Sequence, residues 1–274
     1  MTYHNLESIL DKRWLANHPD HIFNQWAMKP NDSKEKSLLS RFDTYVGKTF
    51  MSLHAKKKFQ NKIRNQKQFV DTYSELEVGC SLIDKGFKVN FQKTLKGKRS
   101  KLTPDLFIEN DNVIVEVKTL HQSAEAEKGM KSFKVFILGE AKRIRDDLFN
   151  ELRKYREQGI EHPLIVVVCP YIIKPPIASQ DDFETVLYCQ ENRMTIFGGF
   201  LSMSPKVEYK GLYYSSIYGE LPAILSGVGL WGWKRKDMVF YPNPNVNATS
   251  KIHQGNFLDY LQSIEITRAR NAKK

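Results

Sequence analysis

Asp105, Glu116 and Lys118 interrupt two apolar runs in TPDLFIENDNVIVEVKTL, residues Thr103 to Leu120. The runs have strand composition and flank a cluster of turn formers, which predicts a β-hairpin. With the turn centred on Asn110-Asp111, paired residues carry numbers that sum to 221 (110 + 111), so Asp105 falls opposite Glu116. Directly opposed residues share a face, with Cβ atoms ~5 Å apart. Lys118, two residues along the strand, joins them, while Val113, Val115 and Val117 point the other way into the core. Two half-buried carboxylates repel unless one is protonated or a cation lies between them. All-oxygen donors suit a hard cation, so Mg²⁺ is expected, with Mn²⁺ able to replace it. Lys118 would orient a water beside that ion or help deprotonate it. The plain alternative is a surface hairpin with an ordinary Glu-x-Lys pair.

The surrounding elements must hold these residues. Phe69, Tyr73, Leu76, Cys80 and Ile83 recur at three- and four-residue steps, which predicts an amphipathic helix that Gly86 ends. FKVNFQ then reads as a strand. FKVFIL (133–138) reads as another, followed by a helix over Gly139–Gly159 with Ile144, Leu148 and Leu152 on one side. PLIVVVC, Pro163 to Cys169, is a continuous apolar strand, expected at the centre of a sheet. A helix is expected at 179–189 and a strand at 194–201. LSGVGLWGWKRKDMVFYPNPN reads as two strands around a basic turn, and NFLDYLQSIE as a last short helix. Residues 1–68 read as a polar, helical N-terminal extension with anchors at Trp14, Phe23, Trp26, Leu38, Leu39, Phe42 and Tyr45, broken at Pro30–Ser33. Residues 69–274 would form the main domain. The order implies an α/β fold with a mixed β-sheet flanked by helices.

The helix Phe69–Lys85, Pro104-Asp105 on one strand, and Glu116-Val117-Lys118 on the next resemble the PD-(D/E)XK nuclease superfamily. The resemblance spans Phe69 to Cys169. In that superfamily a glutamate on the preceding helix often completes the site. Glu75 lies eleven residues before Gly86, a spacing similar to that in archaeal junction resolvases of the superfamily. Glu77 competes for this place. It lies ~200° round the helix, so only one of the two can face the site. Glu75, which flanks the apolar face at Leu76, is favoured.

The resemblance implies a restriction-endonuclease-like core and Mg²⁺-dependent phosphodiester hydrolysis. Asp105 and Glu116 would bind the metal through their carboxylates and Val117 through its carbonyl. Lys118 would position or activate the attacking water. Glu75 would hold a second metal or a water. The expected function is a DNA endonuclease of restriction, repair, mobile-element or phage-defence type. The alternatives are a catalytically silent nucleic-acid-binding protein on the same fold, or an RNase.

Charge and composition agree with a polyanionic substrate. Lys and Arg exceed Asp and Glu by 11 over 274 residues, and the 41% hydrophobic content is enough to fill a core. The basic residues cluster. His54–Phe69 holds six, including Lys56, Lys57 and Lys58, and Lys93–Lys101 holds five: Lys93, Lys96, Lys98, Arg99 and Lys101. The second loop directly precedes the hairpin. It is expected to enter the site and grip the nucleic-acid backbone, which gives affinity without sequence reading. Trp231 and Trp233 are read as strand core rather than as base-stacking residues.

Other features argue against rival chemistry. His18-Pro19-Asp20-His21 lacks the spacing of a known metal site. No Walker-type phosphate loop is present. Three scattered cysteines, Cys80, Cys169 and Cys189, suggest core packing rather than disulfides. No long apolar run or signal-peptide pattern is seen, so a cytoplasmic protein without membrane contact is expected. DNA, duplex or branched, is the expected partner. Cutting both strands would call for two active sites, hence a homodimer.

Overall fold

The computed structural model describes residues 2–49, 53–120, 148–159, 162–170, 225–232, 237–246, 252 and 255–264, with side chains from residue 57 onward in the helix that begins at Leu53. The expected elements at 133–138, 179–189 and 194–201 lie outside these residues. So do the start of the Gly139–Gly159 helix, the 233–236 turn with Trp233, Cys189, and the side chain of Lys56.

Short helices open the chain: α1 (His4–Leu10), α2 (Lys12–Ala16) and α3 (Ile22–Ala27). The longer α4 (Lys34–Thr49) and α5 (Leu53–Arg64) follow, then α6 (Phe69–Asp84). The break between α3 and α4 falls at the Pro30–Ser33 stretch. Phe23, Trp26, Leu38, Leu39, Phe42 and Tyr45 are buried as expected, and Trp14 packs against them half-buried.

Helix α6 lies between two layers. Phe69, Tyr73, Leu76 and Cys80, the stripe that the periodicity selects, pack against the N-terminal helices. A second side, Val78 and Leu82, packs against the sheet. The described N-terminal helices and α6 therefore share one core. Ile83, assigned to the stripe by its spacing, is 37% exposed, although α4 reaches the same turn through the ion pair of Lys48 with Asp84 at 3.0 Å. Gly79 allows α6 to press on the sheet edge, since a Cβ there would stand 2.4 Å from the Phe91 ring. Gly86, with φ of 91°, ends the segment in the left-handed conformation that glycine adopts freely.

The strands are β1 (Val89–Phe91), β2 (Leu95–Lys96), β3 (Lys101–Leu102), β4 (Leu106–Ile108), β5 (Val113–Leu120), β6 (Leu164–Pro170), β7 (Leu225–Gly232) and β8 (Asp237–Pro242). Helical residues 148–158, here α7, lie between β5 and β6, and α8 (Asn256–Ser263) follows β8. Six strands form one mixed sheet in the order β1-β4-β5-β6-β7-β8. β5, β6 and β7 are parallel neighbours, and the other pairs are antiparallel. β6 lies inside the sheet, and Leu164–Cys169 are buried throughout, which accounts for their unbroken apolar run. β2 and β3 form a separate two-stranded ribbon.

The β4–β5 pairing sets the site. Leu106 faces Val115, Phe107 faces Ile114 and Ile108 faces Val113, each pair summing to the predicted 221. The loop Glu109–Asn112 is longer than a two-residue turn but symmetric, so the register is unchanged. Val113, Val115 and Val117 pack on the α6 and α8 side with Leu82, Phe257 and Leu261. Ile114 and Leu120 pack on the opposite side with Leu148, Leu152 and Tyr155 of α7. Glu116 and Lys118, at intervening even positions, point toward α7 as well.

Candidate active site

β4 begins at Leu106, so β5 runs beyond the antiparallel ladder from Glu116 onward. The backbone N–H of Val117 would otherwise seek a strand partner; it donates to Asp105 Oδ2 at 3.0 Å. N–H and C=O of one strand residue point to the same side, so the Val117 carbonyl faces the Asp105 side too. Pro104 keeps the preceding chain extended and delivers Asp105 to this position.

Asp105 and Glu116 lie close enough that each carboxyl perturbs the other. Burial, then the charge of Asp105 and a hydrogen bond with it, push Glu116 well above the usual carboxylate range. Burial raises Asp105 as well. The bond from Glu116, the Lys62 ammonium, the Val117 N–H and Lys118 outweigh it and leave Asp105 below its ordinary value. Of the two, Glu116 is the one that takes a proton more readily.

Glu75 joins this pair from α6, and Glu77 does not. Glu77 turns to α4 and pairs with Arg41 at 3.3 Å. Glu75 is 7% exposed, and both its oxygens lie against Lys62 Nζ, at 2.7 and 2.8 Å. Lys62 also stands 3.6 Å from Asp105 Oδ1. Burial and the Asp105 charge raise Glu75, while Lys62 opposes them. Burial acts to lower Lys62, but Glu75, Asp105 and Glu116 together hold it above the usual lysine range. The two contacts below 3 Å are those of an ion pair, so the ammonium balances part of the acidic cluster.

Lys118 is fixed by α7. Its ammonium lies 2.7 Å from Glu151 Oε2, which Lys154 also contacts at 3.0 Å. Tyr155, one turn further along, donates its hydroxyl to Glu116 Oε1. Burial alone would lower Lys118. Glu151, Glu116 and Asp105 outweigh it and hold Lys118 above its ordinary value. Held there, the ammonium is placed to orient a water or a phosphate oxygen. A cleft of 230 Å³ opens beside it, lined in part by Thr119, Asn150, Glu151 and Lys154.

The basic loop does not enter the site as expected. It forms the β2–β3 ribbon, whose tip bonds to the far end of α7 through Lys98 N to Gly159 O and Arg99 N to Gln158 O. Glu151 meets Lys118 eight residues earlier on α7, ~12 Å away along the axis. Its base runs into the site through Thr103-Pro104, directly before Asp105. Leu95 anchors it in the α7-side core. Lys96, Lys98, Arg99 and Lys101 are exposed on it, while Lys93 lies over the Phe107 ring at 4.6 Å and 3.4 Å from Glu109. Lys57 and Lys58 are exposed on α5.

The remaining candidates have structural roles. His21 caps α3 by accepting from Phe23 N, and His18 stacks on Trp14. Cys80, Cys169 and Trp231 are buried in the core. Among the described residues no helix is long and apolar enough to cross a membrane. Among the same residues no three His, Cys, Asp or Glu side chains group as ligands for one ion. The donor set that fits a hard cation is smaller: the Asp105 and Glu116 carboxylates plus the Val117 carbonyl. Magnesium, which keeps several waters and takes one or two carboxylates, matches such a set.

Sequence reasoning missed Lys62, Glu151 and Tyr155. Glu151 carried a usable signal, since it lies within the Leu148–Leu152–Tyr155 stripe, the same anomaly that exposed the hairpin. Lys62 carried little, being one of six basic residues on a polar stretch. No protein-family model, curated protein or solved structure matches the chain.

Proposed function

We propose that the chain is a Mg²⁺-dependent nuclease with a restriction-endonuclease-like core, acting on DNA. The observation that carries this reading is the contact between Asp105 and Glu116 on one face of the sheet, with Lys118 beside them and fixed by Glu151. A core stability role would favour apolar residues here, because burying like charges together is costly. The order α6, β1, β4, β5, α7, β6 supports the fold assignment, and the net positive charge supports a polyanionic substrate.

Asp105, Glu116 and the Val117 carbonyl would hold the divalent ion. Bound there, that ion supplies a water of lowered pKa and neutralises charge on the phosphate. Glu116 would hold the ion as a carboxylate, its proton passing to solvent, and Tyr155 would keep that carboxylate oriented. Lys118, entering from the 230 Å³ cleft, holds a phosphate oxygen or the attacking water and stabilises negative charge as it develops. Lys96, Lys98, Arg99 and Lys101 on the ribbon hold the backbone of a longer substrate away from the reacting phosphate.

The test is a cleavage panel of plasmid, linear duplex, single-stranded DNA, branched DNA and RNA with Mg²⁺, Mn²⁺ or EDTA, run with wild type and Asp105→Ala. Metal-dependent cutting of DNA that the variant loses is the expected result. Cutting of RNA alone would reassign the substrate. Binding of DNA without cutting under any condition would replace the nuclease by a nucleic-acid-binding protein on this fold.

A further inference from the structure

We propose that Lys62, supplied by the N-terminal helical region, is the second cation of this site, so that the site takes one divalent ion rather than two. The inference rests on the divalent-ion reading above. Glu75 on α6 and Asp105 on the hairpin both reach the Lys62 ammonium, and Asp105 lies against Glu116. The Asp105–Glu116 side has the donors for an ion. The Glu75 side is already neutralised, since both Glu75 oxygens hold the Lys62 ammonium at 2.7 and 2.8 Å. The same ammonium reaches Asp105 at 3.6 Å, so one cation already contacts both Glu75 and Asp105.

Lys62 is built into this position and is not a wandering surface lysine. Its neighbours on α5 are tied down on both sides. Gln60 Nε2 donates to Ile9 O at 2.5 Å, and Arg64 Nη2 donates to Leu10 O at 2.9 Å. The Arg64 guanidinium lies over the Trp14 ring at 5.2 Å, and Ile63 is fully buried in the N-terminal core. The side chain of Lys62 is 21% exposed, against 9% for its Glu75 partner. An ammonium held this way costs no metal-binding entropy and cannot dissociate at low Mg²⁺. It also makes α5 part of the site's charge balance.

The experiment is Mn²⁺ binding by titration calorimetry and by electron paramagnetic resonance on the full chain. Wild type, Lys62→Met, Lys62→Arg and the Lys62→Met/Glu75→Gln double variant are compared, with melting temperatures measured in EDTA and in Mn²⁺. Wild type and Lys62→Arg are expected to bind one Mn²⁺ per chain. Lys62→Met is expected to bind a second and to regain in Mn²⁺ the melting temperature it loses in EDTA. The double variant, with both charges removed, is expected to return to one. Two ions on wild type would overturn the role of Lys62 and leave the divalent-ion reading standing. A folded Lys62→Met that still binds one ion would overturn it as well. If Lys62→Met does not fold, two ions on the double variant would do the same. No Mn²⁺ bound by wild type would overturn both readings.

Discussion

Tyr155→Phe should raise the pH at which the site accepts a divalent ion. The Tyr155 hydroxyl donates to Glu116, which is 5% exposed, and phenylalanine keeps the ring that packs with Leu148 and Leu152. The variant therefore loses one hydrogen bond and creates no cavity. A bond to an ionised acceptor is worth about 1.5–3 kcal/mol and one to a neutral acceptor about 0.5–1.5 kcal/mol. The difference, about 1–1.5 kcal/mol, is what the bond contributes to ionising Glu116. At 1.36 kcal/mol per pH unit this moves Glu116 up by about one unit. An ion must displace the Glu116 proton, so at a fixed pH below that pKa Mn²⁺ affinity should fall about tenfold. The sign for stability follows from the same shift. Burial, first, and then Asp105 raise Glu116 in the folded state. Its favourable contribution is therefore complete below the usual carboxylate range and is lost as pH climbs through the folded value, and Tyr155→Phe shifts that loss to higher pH. Mn²⁺ titrations at stepped pH measure the affinity midpoint, and melts in EDTA across the same range measure stability. A midpoint that stays put or moves down would refute the reasoning, because Glu116 would then not be the group whose proton the ion displaces.

Two contrasts test the rest of the site. Glu77→Gln should lower stability by about 1–3 kcal/mol, since it removes the charged partner of Arg41, and should leave Mn²⁺ binding unchanged. Glu75→Gln should instead alter metal binding by freeing Lys62; equal effects of the two variants in denaturation and calorimetry would erase the distinction. Replacing Lys96, Lys98, Arg99 and Lys101 by alanine should weaken duplex binding alike across sequences. The salt slope measured by fluorescence anisotropy should flatten by about 0.9 per lost phosphate contact, and an unchanged slope would remove the ribbon from the binding track.

The chain's local order carried much of the fold. Strand period, the polar centre at Asn110-Asp111 and the rule of opposite faces were enough to place Asp105 against Glu116, because register in a half-buried hairpin is fixed by the side chains it must bury. The apolar run of β6 was legible as a central strand for the same reason. The charges inside those elements announced the site, since each stood where burial disfavours it.

What the sequence left open depends on contacts between segments far apart in the chain. Periodicity showed that α6 has an apolar face but not which layer would meet it. Tertiary packing gave that stripe to the N-terminal helices and turned Val78 and Leu82 to the sheet. The same packing sent Glu77 to Arg41 and Glu75 to the site, and docked the basic ribbon against the end of α7. Lys62 and Asp105 are 43 positions apart (105 − 62) and meet only because α5 is anchored on α1 and Trp14. A lysine's place in a charge cluster is set by which carboxylates the fold brings within about 4 Å, and at that range the interaction is decided by geometry rather than by residue type.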